Sequence, residues 1–134
     1  LSKQHEKLLW KMTDSHAKER KALVAKQEKQ SFKETQARQE RFNQGLRGLF
    51  DRITGAYSKT KRKNELEAFD AAKRDQQQRD TLIFRQIYQK RQFTLRAATI
   101  LEKSKRAISN LDQESMRLKA MRDKRKPLFD GPER

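Results

Sequence analysis

Few side chains in this sequence are placed to do covalent chemistry. His5 and His16 are the two histidines. On a helix their eleven-residue spacing puts them on one face but about 16 Å apart along the axis. A metal ion needs ligand nitrogens about 2 Å away, so the pair cannot share one, and two solvated histidines are expected. There is no cysteine, hence no thiolate metal site and no disulfide framework. Gly45 and Gly48 form a G-x-x-G, but the Lys-Ser/Thr and the preceding strand of a phosphate loop are missing; a bend between close-packed helices is the expectation. Carboxylates are almost all flanked by cations, so no pair has the apolar setting that raises a pKa for acid–base work. No Ser, Thr or Tyr has a histidine in a supporting order. Tyr57, followed by four cations within six residues, is the hydroxyl to inspect, and packing against a turn is expected of it rather than nucleophilic attack. No catalytic residue, metal ligand or cofactor is implied, and these residues are expected not to form an enzyme.

What remains is charge. The chain has 134 residues with 34 Lys or Arg against 18 Asp or Glu, a formal net charge of +16, and it is 39% charged and 33% hydrophobic. Typical domains are about 25% charged and about 45–50% apolar, so a multilayered core is excluded. Residues 1–55 hold 13 cations and 7 anions, giving +6, and residues 56–134 hold 21 and 11, giving +10. Three clusters concentrate the excess: Lys59, Lys61, Arg62 and Lys63; Lys103, Lys105 and Arg106; and Arg122, Lys124, Arg125 and Lys126. Such clusters bind polyanions by releasing counterions, with an affinity that falls steeply with salt. No zinc finger, helix-turn-helix or RNP motif is present, and aromatics do not interleave with the cations as base stacking would require. The expected partners are therefore polyanions, nucleic acid through its phosphates among them, and acidic protein surfaces. No apolar run approaches the ~20 residues of a bilayer span, so no membrane insertion is expected and a soluble chain is.

The elements that must display these cations read as all-α. Residues 1–55 form a first helical limb rich in good helix formers, with a short glycine-bounded helix near 46–54 closed by Gly55 as a left-handed cap. Residues 56–64 read as a basic turn, in which Asn64 and Glu67 resemble a capping box. Residues 65–126 form a second long limb, stopped by Pro127, and 127–134 a frayed tail. Leu66, Phe69, Ile83, Ile87, Ala97, Leu101, Ile108, Leu111 and Leu118 share one seven-residue frame, an interrupted coiled-coil seam. Five acid-first pairs, Asp14 with Lys18, Glu34 with Arg38, Asp70 with Arg74, Asp75 with Arg79 and Glu102 with Arg106, fit i,i+4 support. A long antiparallel, coiled-coil-like hairpin is expected, in which the numbers of facing residues add to roughly 112 if apolar positions meet. Leu46, Leu49, Phe50, Ile53, Leu66 and Phe69 would form its core at the hinge end, and Trp10 would join Leu8, Leu9 and Met12 in the core at the other. Truncating a buried Phe50 or Phe69 would cost about 3–5 kcal/mol. A small elongated bundle, with the second limb broken near Arg91 to Ala97, is the alternative, and self-association into a homodimer is open in either case.

The stretch from Phe42 to Arg91 resembles a segment found beyond the nuclease domain of MobA/MobL-type plasmid mobilisation relaxases. The resemblance is carried by GLRGLFDRITG, the basic turn, NELEA, and a charged helix with RD and Q-x-x-x-R repeats. It implies a non-catalytic accessory region of a conjugative relaxase that handles DNA and engages relaxosome partners. It further implies recruitment by an acidic partner such as a type IV secretion coupling protein. The location implied is the bacterial cytoplasm, with translocation to a recipient cell. The family's histidine triad has no match here and neither Tyr57 nor Tyr88 has the nucleophile's context, so no catalytic residue is carried over. With Leu1 in place of Met, a segment of a longer protein is expected. The competing reading is a structural coiled-coil dimerisation or adaptor module unrelated to conjugation.

Overall fold

The computed structural model describes residues 2–43 and 55–125. Two α-helices account for nearly all of them: α1, Lys3–Asn43, and α2, Ala56–Lys124. Ser2 caps α1, its hydroxyl and carbonyl oxygens accepting the His5 N–H at 3.4 and 2.8 Å, and Glu6 stands in the first turn, where the helix dipole favours a negative charge. Neither helix contains Gly or Pro. Gly55, at φ +75°, sets the start of α2, and its carbonyl accepts the Lys59 N–H at 3.1 Å. At the other end Arg125 N–H is shared between the carbonyls of Met121 and Arg122, with Arg122 and Lys124 in the last turn against the negative end of the dipole.

The all-α hairpin expected from the sequence is present, and the second limb runs unbroken through Arg91 to Ala97. Residues 56–64 are helical and not a turn. With no Gly or Pro between Gly55 and Pro127, nothing opposes helix there. Asn64 and Glu67 are accordingly interior residues rather than a capping box: both serve the partner helix. By compactness the chain divides into Leu1–Arg91, which contains the hairpin of α1 with the first half of α2, and Gln92–Arg134.

The hairpin's packing differs from the expected core. Leu66 and Phe69 are 62% and 65% exposed, so they are not core, and the cost of truncating a buried Phe does not apply to Phe69. Leu46, Leu49, Phe50 and Ile53, with the helix near 46–54, lie outside the described residues. Trp10 is 68% exposed and Leu8 is also exposed, leaving Leu9 and Met12 half-buried. His16, expected to be solvated, is buried, as are Gln27, Asn64 and Gln86. Partner numbers across the hairpin run from 99 for Phe42 with Tyr57 to 108 for Glu34 with Arg74. Relative to the apolar register, α2 is slid along α1 by about two turns.

The reason lies in α1. Its apolar stripe thins after Leu23, so at facing numbers near 112 Ile83 would have met Lys29 and stripped it of water, at a cost of about 1–3 kcal/mol for a polar group left unpaired. In the observed register no buried side-chain nitrogen or oxygen among the described residues lacks a hydrogen bond.

Candidate polyanion interface

The inner seam decides which cations are consumed and which are displayed. Three amides bridge from one helix to a backbone carbonyl of the other. Gln86 Nε2 donates to the His16 carbonyl at 3.0 Å, Gln27 Nε2 to the Asp75 carbonyl at 2.9 Å, and Asn64 Nδ2 to the Arg38 carbonyl at 3.1 Å. The partner numbers add to 102 each time, and both sets, 16, 27, 38 and 64, 75, 86, advance by eleven. Eleven residues are close to three helical turns, so over two repeats this frame turns by only about 40° and can stay on one side of a nearly straight helix.

Charged groups gather around these bridges. Arg20 Nη1 donates to Gln86 Oε1 at 2.6 Å and Gln86 also donates to Glu19 at 3.1 Å. Arg85 pairs with Glu19 at 3.3 Å, Arg41 with Glu67 at 2.7 Å, and Arg74 with both Glu34 and Asp75 at 2.9 Å. The Gln86 hydrogen bond, aided by the Arg85 charge, holds the Glu19 carboxyl below its ordinary range. The Glu34 carboxyl is lowered by the hydrogen bond from Arg74, with Gln30 adding a second; the Arg74 guanidinium is raised in turn by Glu34 and Asp75. Of the five acid-first pairs expected within helices, Asp14 with Lys18 and Glu102 with Arg106 form. Glu34 and Arg74 instead join each other across the hairpin in a two-pronged contact, the geometry guanidinium favours.

The predicted binding residues are placed differently from these. Lys59, Lys61, Arg62 and Lys63 are all exposed in the first turns of α2, and none is ion-paired among the described residues. At about 100° per residue, Lys59 and Arg62 lie on the face of α2 opposite Asn64, alongside exposed Leu66 and Phe69, and Lys63 stands at the edge of that face, about 100° from Asn64. Lys61 lies on the flank, bordering a groove with Thr35, Gln39, Phe42 and Tyr57. The Tyr57 ring packs on Phe42, centroids 5.5 Å apart. In the second unit Lys103, Lys105 and Arg106 are exposed, Arg106 held by Glu102 at 3.3 Å. Arg122, Lys124 and Arg125 are exposed as well, and Lys126 lies outside the described residues. The structure thus gathers three cations of the first cluster on the outer side of α2.

Sequence reasoning missed Gln27, Asn64, Gln86, Arg20, Arg41 and Arg74. The available signal was the eleven-residue step already visible between His5 and His16, continued to Gln27 and Arg38. His16 itself donates from Nε2 to Gln89 Oε1 at 2.9 Å. Among the described residues no group of three His, Asp or Glu side chains is placed to hold a metal ion, and no helix is long and apolar enough to cross a membrane. Neither a protein-family model, nor a curated protein, nor a solved structure matches the chain.

Proposed function

We propose that this chain is a non-catalytic, basic helical accessory module of a conjugative relaxase that grips DNA through its phosphates and supports recruitment to a type IV secretion system. The relaxase assignment rests on the resemblance between Phe42 and Arg91. The DNA contact rests on one observation: Arg41, Arg74 and Arg85 of the inner seam are neutralised by Glu67, Glu34, Asp75 and Glu19, whereas Lys59, Arg62 and Lys63 stand on the outer side of α2 with no anionic partner among the described residues. Cations already paired within the protein release no counterions when DNA approaches; unpaired ones do. The contact proposed is to phosphate, since the sequence carries no base-reading motif beside this cluster and a cationic face alone binds the backbone without regard to sequence.

The test is DNA binding followed across a salt series. Replacing Lys59, Arg62 and Lys63 by Gln should lower the slope of log affinity against log salt by about 2.7 on duplex DNA if each contacts one phosphate. A slope that does not change, or no binding to duplex or single strands at physiological salt, overturns the reading.

A further inference from the structure

Within the second unit, Leu101, Ile108, Leu111 and Leu118 are all exposed and fall on one seven-residue frame with Ser104 and Ser115 between them. We propose that this face is a homodimer interface on which residues 101–118 of a second copy pack antiparallel.

The pattern itself names the occupant. Read backwards from its midpoint between Ser109 and Asn110, the seam repeats: Leu101 meets Leu118, Ser104 meets Ser115, and Ile108 meets Leu111, partner numbers adding to 219 each time. An antiparallel pair puts residues of the two alternating seam positions opposite one another, so every apolar layer of one copy finds an apolar layer of the other. A parallel pair would set the same serines against each other too, but it would also bring Arg122 against Arg122 at the next layer. Flanking positions agree with the antiparallel choice. Lys105 of one copy falls beside Asp112 of the other, at both ends by symmetry, and exposed Ile100 falls beside exposed Met121. Burying Ser115 is tolerated because its hydroxyl already donates to the Asp112 carbonyl at 2.9 Å. The interface leaves part of the basic surface usable: Lys103, Arg106 and Lys124 lie on the opposite side of the helix, about 100° or more from the seam.

The residues from 100 to 122 carry six cations against three anions, so two copies repel one another at long range. Added salt screens that repulsion and tightens the dimer, the reverse of its effect on DNA binding, which separates failure of one proposal from failure of the other.

The test uses the full chain. Light scattering and sedimentation should show a concentration-dependent dimer that strengthens with salt, and Ile108→Lys with Leu111→Lys should weaken it by about 100-fold or more. Circular dichroism of that variant should retain the parent helicity, since both residues are exposed. Because the chain has no cysteine, Ser104→Cys and Ser115→Cys report the direction of pairing. Oxidising a mixture of the two variants should yield the mixed disulfide, and either variant alone should stay uncrosslinked, its cysteines lying about 16 Å apart. A chain that remains monomeric at all concentrations, or self-crosslinking by Ser104→Cys alone, overturns the proposal.

Discussion

Replacing Gln86 by Ala is the sharpest probe of the hairpin, because this side chain is 5% exposed and ties three groups of α1 to α2. Its amide nitrogen donates to the His16 carbonyl at 3.0 Å and to Glu19 at 3.1 Å, and its oxygen accepts from Arg20 at 2.6 Å. A neutral hydrogen bond contributes about 1 kcal/mol net and one to a charged group about 1.5–3. Glu19 and Arg20 sit at the surface and recover water when released, so their shares fall toward the low end. The expected loss is about 2–3 kcal/mol. Urea unfolding followed by circular dichroism measures it, with Phe84→Ala as control. Phe84 is 71% exposed, and its removal should change stability by no more than about 0.5 kcal/mol. Gln27 and Asn64 carry the other two bridges, each about 16 Å from the next. Ala variants at the three positions should therefore add to within about 0.5 kcal/mol. A Gln86→Ala protein as stable as its parent, or a Phe84→Ala protein more damaged than it, would show that the eleven-residue seam does not hold the hairpin.

Two further outcomes follow from the described residues. Glu19 and Glu34 have folded-state pKa values below the ordinary 4.5, so their contribution is complete above that value and is lost as pH falls through the lowered folded values. The urea midpoint should drop between about pH 6 and about pH 3, and a Glu19→Gln, Glu34→Gln double variant, weaker at the higher pH, should show a shallower fall; equal falls in parent and variant would assign the acid sensitivity elsewhere. At Gly55, φ is +75° and a Cβ would meet nothing within 4 Å, so Gly55→Ala should cost only the left-handed backbone penalty of about 1–2 kcal/mol, and Gly55→Asn less; equal stability of parent and Ala variant in the same melt would contradict that backbone state.

The hairpin was legible because helix formers run without Gly or Pro on both sides of Gly55, and that pattern depends on local backbone preference alone. Register and core were not. Leu66 and Phe69 looked like core because apolar residues usually are, yet burial needs an apolar surface opposite, and the stretch of α1 that meets the start of α2 supplies Arg38 and Arg41 instead. The site divides the same way. Lys59, Arg62 and Lys63 could be read as a cluster from spacing, but the distinction from Arg41, Arg74 and Arg85 required knowing which carboxylates lie across the hairpin, a relation between residues 26 to 66 positions apart.

Two frames run along α2 and their geometry explains why one helix can hold both a polar seam and an unpaired apolar one. On a helix of 3.6 residues per turn, an eleven-residue frame drifts about 20° per repeat in one sense and a seven-residue frame about 20° per repeat in the other. Near Asn64 the two are almost opposite: Asn64 faces inward while Leu66 and Phe69 face out, about 170° away. Moving along α2 they close on each other, through Asp75 and Gln86 on one path and Ile83 and Ile87 on the other. They meet at Ala97, which belongs to both and is buried. Within the first unit the polar frame has α1 as its partner, through Asn64, Asp75 and Gln86; within the second the apolar frame continues through exposed Leu101, Ile108, Leu111 and Leu118. A sequence that meant only to form an intramolecular hairpin would have no use for apolar residues kept in step for three further repeats on an exposed face. Their persistence, with mirror symmetry about residues 109 and 110, is what a second chain would read.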